Sequence, residues 1–108
     1  MHRFGGRGLY LLDEPEAALS PMRQMTFLTR MHWLTKAKCQ FIIATHSPII
    51  MAYPDAEIVL FERSGLRKVA YTETEHYLVT RGFLANPALT FEELFRPEES
   101  KTEVMRGI

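Results

Sequence analysis

The chain has 108 residues, 46% of them hydrophobic and 24% charged, which is a globular composition for one small domain rather than a disordered or fibrous one. Thirteen basic residues balance thirteen acidic ones, so no basic footprint for nucleic acid follows from charge. A single cysteine, Cys39, excludes an internal disulfide. Placed just before an apolar run, it reads as a buried, inert thiol, and that usage suits a reducing cytoplasm. No apolar run approaches the roughly 20 residues of a membrane span. The start, MHRFGGRG, lacks a signal peptide's apolar core.

The first predicted element is the apolar run Leu9 to Leu12, which ends at Asp13-Glu14-Pro15. Its shortness and the proline favour a strand covered on both faces, hence a parallel sheet. Ser20-Pro21 reads as a helix start, with Ser as N-cap and Pro in the first turn, where its missing N–H costs nothing. The helix is predicted to about Lys38. Leu28, Met31 and Leu34 form its apolar stripe, Met25 and Phe27 flank it, and Lys36 and Lys38 suit the negative end of the dipole. Trp33 and the methionines read as core or edge packing. Gln40 to Thr45 is a second apolar strand, so strand, helix and strand make a βαβ unit with parallel strands and a right-handed crossover.

Ser47-Pro48 is expected to start a short helix to Tyr53, stopped by Pro54. Glu57 to Phe61 reads as a third strand. Arg63-Ser64-Gly65 reads as a hairpin turn into a more exposed strand, Leu66 to Tyr71. Thr72 with Glu75, and Thr90 with Glu93, have the spacing of capping boxes, opening helices to Leu84 and Phe95. Residues 1–96 are thus expected to form one α/β unit, with 97–108 as a loose polar tail. Arg63, Arg67 and Lys68, with Lys36 and Lys38, read as scattered solvated charges.

In a parallel α/β sheet, ligands bind beyond the carboxyl ends of the strands. Asp13 and Glu14 lie just past the end of the first strand, and His46 lies just past the second. If the strands are neighbours, about 5 Å separates their ends. Such a grouping suits a divalent cation and a polarised water. Asp13 would hold Mg²⁺ directly or through water, Glu14 would take a proton from the attacking water, and His46 would contact a phosphate oxygen. Strand alternation sends Asp13 and Glu14 to different sides, which favours two separate roles. Glu16 reads as a solvated acid near the helix start. His2, His32 and His76 read as terminal or helix-surface residues without a role.

These residues carry a family resemblance. LYLLDEPEAALSP resembles the Walker B segment and D-loop of ABC-type ATPases, and FIIATHSPII resembles their switch-histidine segment. The wording is closest to soluble, non-transporter members, the predicted AAA-family ATPases akin to chromosome-maintenance and DNA-repair ATPases. The resemblance covers residues 9–62 well and the C-terminal helices loosely. It implies that Asp13 is the Mg²⁺-associated aspartate, Glu14 the catalytic base and His46 the γ-phosphate contact. It also implies that Ala18-Leu19-Ser20 is the D-loop that crosses to a partner subunit, with Ser20 near the nucleotide. Ser20 stands where many transporters carry Asp.

The sequence departs from that family in two respects. G-x-x-x-x-G-K-[ST], which cradles the β- and γ-phosphates, is absent, and the chain has no Gly-Lys pair. FGGRG precedes a strand, whereas a phosphate loop follows one. The serine-glycine signature motif, expected just upstream of Met1, is also absent. The resemblance therefore implies the C-terminal part of a P-loop ATPase domain: a partial three-layer α/β fold with parallel strands, a hairpin and C-terminal helices, lacking the phosphate-loop strand between residues 40–45 and 57–61. Such a chain would need Mg²⁺ and ATP in the complete protein, an N-terminal half or second subunit as partner, and no membrane. Nucleic acid enters only by family analogy. An open apolar edge favours homo-oligomers. Two other functions compete: a non-catalytic dimerisation or interaction module, and a stand-alone metal-dependent hydrolase built on Asp13, Glu14 and His46.

Overall fold

The strands fall into two separate pairs. A computed structural model describes residues 8–97, so the glycine-rich start and the tail from residue 98 lie outside the described residues. β1 (Leu9–Asp13) pairs in parallel with β2 (Gln40–Ala44), in the register Leu9 with Gln40 through Asp13 with Ala44. The helix α1 (Pro21–Lys36) connects them, as the βαβ pattern requires. β3 (Ile58–Glu62) and β4 (Gly65–Val69) form an antiparallel hairpin, and neither pairs with β1 or β2. α2 (Glu75–Ala85) and α3 (Pro87–Leu94) follow. No helix among the described residues is long and apolar enough to cross a membrane.

α1 starts where the sequence places it. Ser20 Oγ accepts from the Arg23 N–H at 3.2 Å, and Pro21 opens the first turn. Its inward stripe runs through Gln24, Phe27, Leu28, Met31, Leu34 and Thr35, with Met31 buried. Met25 and Trp33 lie outside this stripe and are exposed, contrary to the packing expected of them. The helix stops at Lys36 rather than Lys38. The Cys39 N–H reaches the Leu34 carbonyl and the Lys38 N–H the Thr35 carbonyl, both at 3.0 Å, which is a Schellman close. Lys38 takes the left-handed position, φ 73°, which costs a residue with a Cβ about 1 kcal/mol relative to glycine.

β1 and β2 are covered on one face only. Tyr10 is buried and stacks on Phe41, its register partner, with ring centroids 4.9 Å apart. Leu9, Leu11 and Ile42 alternate to the opposite face and are 39%, 66% and 56% exposed. The expectation of strands covered on both faces is thus corrected. The apolar run is continuous, but no described element packs over its second face. The radius of gyration is 17.8 Å, against about 13 Å for a closed 100-residue domain.

Other elements shift for local reasons. The predicted helix from Ser47-Pro48 shrinks to one 3₁₀ turn, Ile50–Ala52. The hairpin loop is Arg63-Ser64, and the strand resumes at Gly65, whose φ of 124° favours glycine. α2 is capped by Thr74 rather than Thr72: Thr74 Oγ1 accepts from the Tyr77 N–H at 3.1 Å. A 3₁₀ turn at Tyr71–Glu73 precedes it, where Glu73 Oε1 accepts from the Ala70 N–H. α3 begins earlier than Thr90, because Asn86 Oδ1 caps Leu89 N–H and Pro87 fills the first turn. Arg67 pairs with Glu62 at 2.7 Å, and Lys68 lies 3.8 Å from Glu57, so these charges are hairpin pairs rather than a patch.

Candidate functional site

The parallel register brings the two strand ends together. Asp13 sits opposite Ala44, and the Glu14 N–H donates to the Ala44 carbonyl at 2.7 Å, extending the ladder one residue past β1. Glu14 then leaves the extended conformation at φ 47°. Strand alternation therefore does not fix its side-chain direction, contrary to the sequence expectation. A left-handed residue with a Cβ is uncommon and costs on the order of 1 kcal/mol. Here it begins the tight turn through Pro15, in which the Ala17 N–H returns to the Glu14 carbonyl at 3.0 Å. Asp13 and Glu14 are both exposed. Neither carboxylate makes a hydrogen bond or ion pair with another described residue.

Glu16 belongs to this turn rather than to α1, and it is not simply solvated. Its carboxylate accepts from Thr45 Oγ1 at 2.6 Å and from the His46 N–H at 3.1 Å. It thereby ties the turn after β1 to the loop after β2. Burial raises the Glu16 carboxyl, but the hydrogen bonds from Thr45, from its own backbone and from His46, together with the charge of His46, outweigh burial. The net effect holds the carboxyl below its usual range.

The loop after β2 is built around Ser47, which is buried at 6% exposure. Its Oγ donates to Gln24 Oε1 of α1 and accepts from the N–H groups of Ile49 and Ile50, at 3.2 and 3.1 Å. Its N–H donates to Thr45 Oγ1 at 3.0 Å. Gln24 Nε2 in turn donates to the Leu19 carbonyl at 3.2 Å, so one glutamine joins the segment before α1 to the His46 loop. The Tyr71 hydroxyl donates to the Pro48 carbonyl at 2.6 Å. Burial, and the neighbouring Tyr77, push the Tyr71 hydroxyl above its ordinary range.

His46 is exposed, and its ring lies against His76 of α2. Nδ1 of His46 is 3.3 Å from Nε2 of His76, with ring centroids 5.5 Å apart and planes 27° from parallel. His76 is half-buried rather than a free surface residue. Ser20 is exposed and serves as the α1 cap.

The structure thus gathers Asp13, Glu14 and His46 at one sheet edge and adds Glu16, Ser47, Gln24 and His76, to which sequence reasoning gave no part. Among the described residues, no three His, Cys, Asp or Glu side chains are grouped to hold a metal ion. A cation at Asp13 would therefore complete its shell with water and substrate oxygens, which is how Mg²⁺ is commonly held.

Residues 2–52 match the family described as an AAA domain, putative AbiEii toxin, Type IV TA system. The match takes in both strand ends, the turn between them and α1, and it falls just short of half the chain. No curated protein and no solved structure matches the chain significantly. With the mixed α/β architecture and its parallel strand pair, the match supports an AAA-type, ATPase-related domain.

Proposed function

We propose that the chain carries the hydrolytic edge of an ABC-type ATPase site: a Walker B segment at Asp13-Glu14, a D-loop at Ala18-Leu19-Ser20 and a switch histidine at His46. The observation that carries this reading is the juxtaposition of Asp13, Glu14 and His46 at the carboxyl ends of paired parallel strands. The resemblance of DEPEAALSP and ATHSP to those segments agrees with it.

In this reading Asp13 would hold Mg²⁺, directly or through water, and the ion when bound would supply charge neutralisation at the phosphates. Glu14 orients the attacking water and accepts its proton as the new P–O bond forms and the bond to the ADP oxygen breaks. His46 contacts a γ-phosphate oxygen, and Glu16 holds the His46 backbone in place. Catalysis is then mostly positioning and electrostatics. Substitution Glu14→Gln in the completed ATPase tests the assignment.

The phosphate cradle comes from another part of the ATPase or another chain, because G-x-x-x-x-G-K-[ST] is absent here. A second subunit faces Ser20. The uncovered face at Leu9, Leu11 and Ile42 favours self-association of the purified chain, since fully burying each such side chain contributes roughly 1.5–3 kcal/mol. Sedimentation velocity is expected to show species larger than one chain. A clean monomer across a wide concentration range contradicts the oligomer.

A further inference from the structure

The mutual orientation of His46 and His76 bears on which nitrogen of His46 carries a proton. A neutral imidazole has one N–H donor and one bare acceptor nitrogen. With His46 Nδ1 3.3 Å from His76 Nε2, one proton lies between them, and two arrangements are open. In the first, His76 Nε2–H donates. His46 then keeps its proton on Nε2, and His76 Nδ1 is a bare acceptor. In the second, His46 Nδ1–H donates. His46 Nε2 is then a bare lone pair, and His76 must carry its proton on Nδ1. That Nδ1 is buried and finds no partner among the described residues. Orphaned buried backbone N–H groups are rarer in folded proteins than under-satisfied carbonyls, and the same asymmetry applied to the imidazole favours the first arrangement.

The elements around the pair hold it in place. Thr74, fully buried, caps α2 two residues before His76. Tyr71 anchors the chain entering α2 to the Pro48 carbonyl, two residues beyond His46. Glu16 accepts from the His46 N–H.

We propose that His76 is a positioning residue that fixes His46 as the Nε2–H tautomer, leaving that N–H available to an anionic phosphate oxygen. The proposal rests on the phosphate-contact reading of His46. A phosphate oxygen bearing no proton only accepts hydrogen bonds, so a neutral His46 with a bare Nε2 could not make that contact through Nε2. His76 thus decides whether the switch histidine is a donor.

The test is a long-range ¹H–¹⁵N correlation spectrum of the imidazole nitrogens in the full chain, without nucleotide, at alkaline pH where imidazoles are neutral. His46 is expected to show a bare Nδ1 and a protonated Nε2. His76→Gln, whose amide N–H takes the place of Nε2–H, is expected to keep that pattern. His76→Phe, which keeps a ring but removes the donor, is expected to shift both His46 nitrogens toward the average of the two tautomers. A protonated Nδ1 on His46 in the unsubstituted chain overturns the proposal, whether or not either variant folds. So does a His76→Phe spectrum identical to that of the parent. Failure of the phosphate-contact reading shows separately, as unchanged turnover on His46→Ala in the completed ATPase, and leaves the nucleotide-free tautomer result standing.

Discussion

Glu14→Gln in the completed ATPase is expected to lower turnover by roughly 10²–10⁴-fold, the usual contribution of a positioned general base, with nucleotide affinity preserved. Glutamine keeps the shape and the hydrogen-bonding reach of the side chain but does not accept the proton of the attacking water. The substitution leaves the backbone as it is. Glu14 sits at φ 47°, and glutamine bears the same Cβ, so the local backbone cost is common to both chains. The side chain makes no hydrogen bond or ion pair with another described residue whose loss would disturb the fold. Single-turnover hydrolysis beside equilibrium ATP binding separates the two effects. Unchanged turnover removes Glu14 from the role of base and with it the Walker B reading.

Ser47→Ala is expected to destabilise the chain by about 1–3 kcal/mol, the cost of leaving buried polar groups without partners. The hydroxyl serves Gln24 Oε1 and the N–H groups of Ile49 and Ile50 at once. Alanine leaves all three to find other partners in a largely buried position. The damage is also functional in placement. The Ser47 network joins α1 to the loop that carries His46, and through Gln24 it reaches the Leu19 carbonyl beside Ser20. Urea unfolding followed by circular dichroism is the check, with a lower midpoint and an unchanged slope expected. A stability change under about 0.5 kcal/mol, typical of an uninvolved surface site, shows that the loop does not depend on this hydroxyl.

What the sequence reveals here is what local chemistry controls. The Ser20-Pro21 start of α1, the apolar strands β1 and β2 and the hairpin at Arg63-Ser64 each depend on a handful of adjacent residues. Their parallel pairing follows from the helix between them. Two helix starts are misplaced by the sequence reading. The Thr72–Glu75 spacing points two residues before Thr74, which caps α2, and the Thr90–Glu93 spacing points past Asn86-Pro87, where α3 begins. The uncovered second face of β1 and β2 was not legible, because a continuous apolar run looks alike whether or not something covers it.

The candidate site divides in the same way. Asp13, Glu14 and His46 follow from strand ends and motif. Glu16, Gln24, Ser47 and His76 act across separations of roughly 20 to 30 residues, and no local pattern announces such contacts. Glu16 looks in the sequence like a solvated acid near the helix start, and its partners Thr45 and His46 lie about 30 residues away. His76 carried no signal at all, since a histidine at a helix start is usually solvated.

The measurement that tests the central claim most directly is calorimetric titration of the purified chain with ATP and Mg²⁺. A chain with the hydrolytic edge but without the phosphate cradle is expected to show no detectable binding on its own. Micromolar binding that disappears in Asp13→Ala contradicts that claim, because the chain or its oligomer would then build a complete nucleotide site from its own residues.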